Sequence, residues 1–266
     1  MEAQIRTNKQ KINKMANNFF TTTTEPVITT GATAFGADDA MFDWTPIKVP
    51  KGSCALASIS GYIMGKNGDD QASSGIIDLF FAKSIDGVAP PTIGTINSAI
   101  TKANAVAFRR HLIGYMSLDM DERTDSTDPL ASYNAFGLAF NSTVNNSYNP
   151  IIMQSEALSG DTGFQTIYVA GAAQAALDFG TGVLCAGENA ADNLAIVIDN
   201  GSGAASIALD TFAIGDEVVL ADDTRIGTIT ALTNVLMTVN AAPGTLADNA
   251  EIVPKFPLRL TFGWEY

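Results

Sequence analysis

The last nine residues of the chain alternate strictly. Leu258, Leu260, Phe262, Trp264 and Tyr266 fall on one side, and Arg259, Thr261, Gly263 and Glu265 on the other. Period-two alternation is the pattern of a strand with one buried face. Large apolar side chains on a terminal strand need a sheet to extend and a core to cover. The strand is therefore expected to close a sheet built from earlier chain. The material just before it, 205–254, then reads as an insertion carried on that sheet.

The rest of the chain fits an all-β class. It is 46% hydrophobic with 23 Gly and 10 Pro, enough to bury a core between many turns. Met41 to Ile47 reads as an edge strand, since Pro46 is tolerated only at an edge or bulge. Further strands fit 53–64, 75–83, 111–120, 133–140, 151–158, 164–170 and 194–198, with turn residues between them. Ile96, Ile100, Ala103, Val106 and Ala107 recur at helical spacing, and Arg109-Arg110 suit a helix C-terminus, so a helix is predicted over 95–110. This pattern predicts a jelly-roll-like β-sandwich body over 41–204, with one short helix, completed by the closing strand 255–266. Within 205–254 four short strands form a tight meander of SH3-like size, an inserted small β-barrel-like module. Residues 1–40 read as an extended N-terminal arm.

Charge is unevenly spread. Residues 1–18 hold Arg6, Lys9, Lys11 and Lys14 against Glu2, a net of +3, so the remainder carries −16 against −13 for the whole chain. An acidic protein is a poor partner for nucleic acid. The first 18 residues have no apolar core of a secretory signal, and no run is long enough to span a membrane. Synthesis in a cytosol is expected, with neither membrane nor nucleic acid as partner. In the arm, Phe19 and Phe20 are the only large apolar pair. Arg6, Lys9, Lys11, Lys14, Phe19 and Phe20 are the candidate partner-binding residues, the aromatics as anchors and the cations for orientation.

Catalytic chemistry finds little to work with. His111 is the single histidine, so any Ser-His-Asp or Cys-His site would have to run through it, and no nucleophile elbow lies nearby. Cys54 and Cys185 lie far apart and read as two buried thiols. Zinc needs His or Cys in sets of three or four. The acidic run Asp119–Asp125 fails as a calcium loop, with Arg123, Thr124 and Leu130 where oxygen ligands and a glycine belong. No enzyme, cofactor or metal site is expected.

Ile47–Leu56 (IKVPKGSCAL), Asp78–Ser84 (DLFFAKS), and the segment from Phe212 to Val253, with its IGDEV, IGTIT and LADNAEI stretches, share a texture. It resembles that of virion structural proteins of tailed bacteriophages, particularly those of marine cyanobacteria. The resemblance rests on texture rather than on an invariant motif and carries over no active-site residue. It implies a structural virion protein on the capsid surface, a decoration or cement protein whose partners are the major capsid protein or other virion proteins. A homo-oligomer, with a trimer as the first guess, goes with that reading. The alternatives are a neck, tail or baseplate component, or a carbohydrate-binding β-sandwich. The last would need an exposed aromatic platform beside paired carboxylates, with Trp44, Trp264, Tyr115 and Tyr148 as the aromatics to inspect.

Overall fold

The computed structural model describes residues 19–28, 34–63, 76–119, 131–136, 151–156, 162–177, 179, 183–206 and 208–266. Among the described residues fifteen strands and two short helices follow in chain order: β1 (Phe19–Thr24), β2 (Ala40–Pro50), β3 (Cys54–Ile63), β4 (Ile76–Lys83), α1 (Lys102–Phe108), β5 (Leu112–Asp119), β6 (Ala131–Phe136), β7 (Ile151–Met153), β8 (Phe164–Ala173), β9 (Val183–Cys185), β10 (Ala195–Asp199), α2 (Ala208–Thr211), β11 (Glu217–Leu220), β12 (Arg225–Leu232), β13 (Leu236–Val239), β14 (Glu251–Pro254) and β15 (Leu258–Glu265). The protein is all-β, built from antiparallel sheets.

The body is a sandwich of two sheets. One has the order β1-β15-β3-β6, with β7 continuing the β6 edge of β3, and the other β2-β8-β4-β5. β6 pairs Ser58–Ile63 and β7 pairs Cys54–Leu56, so the two act as one broken edge strand. Counted within the body alone, the first, last, third and sixth strands face the second, seventh, fourth and fifth. That interleaving is the jelly-roll arrangement of two four-stranded antiparallel sheets. The closing strand lies between β1 and β3, as its alternation demanded. Leu258, Leu260, Phe262 and Trp264 are fully buried, while Tyr266, one step beyond the strand, is exposed.

The core is made where the two inner faces meet. Phe262 packs edge-on against Phe81 of the opposite sheet, centroids 5.9 Å apart, and stacks on Trp264 at 5.8 Å. Gly171 faces Phe42 across the β2-β8 ladder, and a Cβ there would lie 2.2 Å from the ring, so only glycine lets Phe42 fill that space. Outside the β2-β8-β4-β5 sheet, Ile93 and Phe108 from the α1 region cover Ala40 and Ala170 in a second small core. Pro46 sits on β2, an edge strand, as expected.

Three expectations are corrected. The helix is confined to Lys102–Phe108, with Thr101 accepting the Asn104 N–H as N-cap at 3.2 Å. Residues before it bridge to Asp39 and Ala40 instead, and Asn97 takes a left-handed φ of 56°, which no helix interior accommodates. The 1–40 arm does not stand apart from the body over its described residues: β1 pairs along β15 from Phe19↔Glu265 to Thr24↔Leu260, and Ile28 and Phe35 lie in the core. The inserted module is also larger than 205–254. Strands β9 and β10 close a six-stranded barrel, β10-β13-β12-β11-β14-β9, so the 194–198 strand leaves the body. Their apolar side chains, Val183, Cys185, Ile196 and Ile198, face the barrel core together with Val218, Ile229, Met237 and Ile252. Ala208 and Phe212, at α2, plug that core.

Two outcomes test this architecture. Trp264→Ala should cost about 3–5 kcal/mol in chemical denaturation, the range for deleting a large buried aromatic. Replacing residues 183–254 with a short Gly/Ser linker should leave a body with a cooperative thermal transition. Replacing only 207–253 should give a poorly behaved chain, because β9 and β10 would keep apolar faces without a barrel to bury them.

Candidate functional site

Of the six residues singled out in the sequence, Arg6, Lys9, Lys11 and Lys14 lie outside the described residues. Phe19 and Phe20 open β1, the edge strand of its sheet. The strand alternates around the sheet plane, so the two aromatics part company. Phe20 turns inward and packs on the core beside Phe164 of β8, ring centroids 5.8 Å apart. Phe19 turns outward and is 69% exposed.

The inward side of β1 is held by hydroxyls. The Trp264 indole N–H donates to Thr22 Oγ1 at 3.2 Å, and Thr22 Oγ1 donates to the Lys48 carbonyl of the opposite sheet at 2.8 Å. On the outward side, the Thr23 and Thr261 hydroxyls meet at 3.0 Å. β1 therefore needs no run of inward apolar residues to stay in place.

Exposed apolar groups gather at the end of the sandwich where β1 begins. Phe164 and Tyr266 are both exposed there, and the register carries Phe19 through Glu265 and Ala55 to Ile152 of β7, which is 58% exposed. Phe164, Tyr266 and Ile152 carried no signal in the sequence. Tyr266 continues the buried alternation by one step, and Ile152 and Phe164 sit in segments whose pairing is needed to say which face they take.

A second feature is a cleft of about 420 Å³ where the barrel meets the body, lined by Glu25 and Arg259 on one wall and Gly215, Asp216, Glu217 and Thr228 on the other. Glu217 anchors it. Its carboxylate accepts from Arg225 Nε at 2.8 Å and pairs with Lys255 Nζ at 2.9 Å, which holds its pKa below the usual carboxylate value. Lys255 also lies over the Phe256 ring at 5.0 Å. Arg259 Nε and Glu25 stand 3.6 Å apart on the body side. The paired charges tie barrel and connector together.

The candidate catalytic groups are engaged in structure. His111 Nδ1 lies 2.9 Å from the Lys83 carbonyl, which fixes the proton on that nitrogen. Cys54 and Cys185 are buried free thiols; burial pushes the Cys54 pKa up to about 11 and raises that of Cys185. Such thiols are poor nucleophiles. No group of three or more His, Cys, Asp or Glu is placed to hold a metal ion among the described residues. The 120–130 acidic loop lies outside them. Of the aromatics weighed for a sugar platform, Trp264 is buried, and Trp44 is half-buried with its indole N–H donated to the Pro91 carbonyl at 2.6 Å. Tyr115 is exposed beside Asp78, whose carboxylate accepts from Ser117 Oγ at 2.6 Å. Tyr148 lies outside the described residues.

Compared with models of known protein families and with curated proteins, the chain matches none.

Glu217→Gln should lower thermal stability by at most about 1 kcal/mol, since these are solvent-screened pairs. The pH dependence gives the sign. A carboxylate with a depressed folded-state pKa stabilises above its unfolded pKa, and that contribution is lost as pH falls through the folded value. The gap between wild type and variant should therefore be full at neutral pH and close on acidification below the ordinary carboxylate range.

Proposed function

We propose that this chain is a structural virion protein of a tailed bacteriophage, a capsid decoration or cement protein bound to the outer shell. One observation carries the reading: the body has the strand order of a jelly roll, an architecture used in viral capsid domains. A compact barrel is inserted between its seventh and eighth strands, and it contains the IGDEV, IGTIT and LADNAEI stretches of the sequence resemblance. The mechanism is mechanical. The sandwich lies over contacts between shell proteins, and the basic segment 1–18 reaches a neighbouring acidic surface, whether a second copy or the shell. Many modest contacts then act together through avidity. Phe19, exposed at the point where that segment joins the body, supplies an apolar contact beside it.

Native particles provide the direct test. The chain should be present in stoichiometric amounts on purified heads, as density over the capsid lattice. Absence from particles would overturn the reading, and density confined to the neck, tail or baseplate would replace it with the tail assignment. Deletion of 1–18, which leaves β1 intact, should reduce the copies rebound by stripped particles without changing the body's thermal transition. Occupancy equal to that of the full chain, counted by gel densitometry, would remove the basic segment from the mechanism.

A further inference from the structure

Residues 151–156 do more than supply β7. The strand itself is short, pairing only with Cys54–Leu56 of β3 in the β1-β15-β3-β6 sheet. The same stretch is fastened to the opposite sheet in three places. Ile151 fills the space over Gly114 of β5, where a Cβ would lie 2.6 Å from its Cγ2. The Ser155 N–H donates at 2.8 Å to Oε1 of Gln165 on β8, a buried side chain whose Nε2 donates to the Pro50 carbonyl at 3.0 Å. Glu156 reaches the turn that follows β4. There Ile85 and Val88 exchange backbone hydrogen bonds around Asp86 and Gly87, whose φ angles of 52° and 76° make a tight two-residue turn. The Glu156 carboxylate accepts from both central amides, Oε1 from Asp86 at 3.1 Å and Oε2 from Gly87 at 3.0 Å. The stretch is thus a strap across the side of the sandwich away from β1 and β2.

We propose that this strap is an acid-released device: ionised Glu156 clasps it to the 85–88 turn, and protonation of Glu156 lets it lift from Cys54. Two observations make it poised rather than permanent. The Glu156 side chain is exposed, so solvent protons reach it directly. Ser155 Oγ is buried, and among the described residues no partner takes it, a cost that opening relieves. The Gly87 and then the Asp86 amide hold the Glu156 pKa below the ordinary carboxylate value, helped by the Lys83 and His111 charges. A pKa depressed in the closed state favours closure above the ordinary carboxylate value, and that preference is lost as pH falls through the depressed one. The other titratable groups beside the clasp are Lys83 of β4, His111 ahead of β5 and Asp86 of the turn itself. Lys83 and His111 favour the clasp when positive, and neutralising Asp86 removes a like charge. None of them releases the strap; Glu156 itself must be neutralised.

Cys54 lies beneath the strap. It is 2% exposed, it pairs directly with Met153 of β7, and its Sγ stands 3.6 Å from the Met153 carbonyl oxygen. Lifting 151–156 therefore uncovers this thiol together with the edge of β3 that β7 covers. Cys185 is also buried but belongs to the barrel core, so opening of the strap leaves it covered. A local opening that exposes one buried thiol and spares the other is distinct from unfolding of the whole chain. The device is a property of the chain itself, whatever it assembles with.

Thiol labelling of the full chain tests it. The chain is pulsed over a pH series with a dipyridyl disulfide, which reacts with thiols in acid, and peptide mass mapping reads Cys54 and Cys185 separately. Both should be protected at neutral pH. Below the ordinary carboxylate range Cys54 should label about tenfold faster, while Cys185 stays protected. Glu156→Gln keeps the shape but removes the charge and one acceptor. It should label Cys54 about tenfold faster than wild type already at neutral pH, with little further change in acid. Ser155→Ala removes the unpartnered hydroxyl and should move opening to lower pH. Cys54 and Cys185 becoming reactive together, Cys54 staying protected throughout acidification, a Glu156→Gln chain as protected as wild type, or a Ser155→Ala chain that opens more readily would each overturn the proposal.

Discussion

The body depends on β15 lying between β1 and β3. A central strand must hydrogen-bond on both sides, and β15 also carries four of the core's buried side chains. Its most demanding residue is Trp264, because a buried indole N–H left without an acceptor costs about 1–3 kcal/mol. Thr22 supplies the acceptor and donates its own hydroxyl hydrogen bond to the Lys48 carbonyl in the facing sheet. One hydroxyl thus joins β15 to β1 and both to β2, closing the open side of the sandwich. Thr22→Val would keep the shape and remove that link, which is why a polar residue occupies an inward position on β1.

This placement has a topological consequence. Thr22 and Trp264 are separated by 242 residues, whereas every strand pairing in the barrel lies within 183–254. Local contacts form with less loop-closure entropy than distant ones. We therefore expect the barrel to form while the body still lacks its closing strand. Refolding followed separately in the barrel and at Trp264 would show the opposite order if this is wrong. The Glu217 pairs with Arg225 and Lys255 then fix the connector that leads from β14 into β15. The barrel's last strand and the body's last strand are separated by only three residues, Lys255, Phe256 and Pro257.

Legibility followed from how much each segment's behaviour is local. The 258–266 alternation announced a half-buried strand because one face is wholly apolar. The β1 strand was hidden for the opposite reason: its inward Thr22 and Thr24 are polar, and their stability comes from a partner at the other end of the chain. The run 194–198 announced a strand but not its sheet, since an apolar run pairs equally well with either core until register is known. Strand β9, at three residues, is too short to show any period. The helix was read too long because Ile96 and Ile100 keep helical spacing while the backbone turns left-handed at Asn97. Among the candidate binding residues, Phe19 and Phe20 stood out by rarity in a polar segment. Nothing local told that one would face inward, or that Ile152 would join the other across three strands.

The acidic charge makes the neutral surface informative. A chain at −13 repels its own copies, and least where acidic side chains are few. The β1 edge is one such place. Between Phe19 and Thr24 there is no charge and no proline, the usual devices that blunt an edge strand, and the first of each comes only at Glu25 and Pro26. Among the described residues no second strand pairs that edge. That edge begins one residue after the segment 1–18, whose net charge is +3.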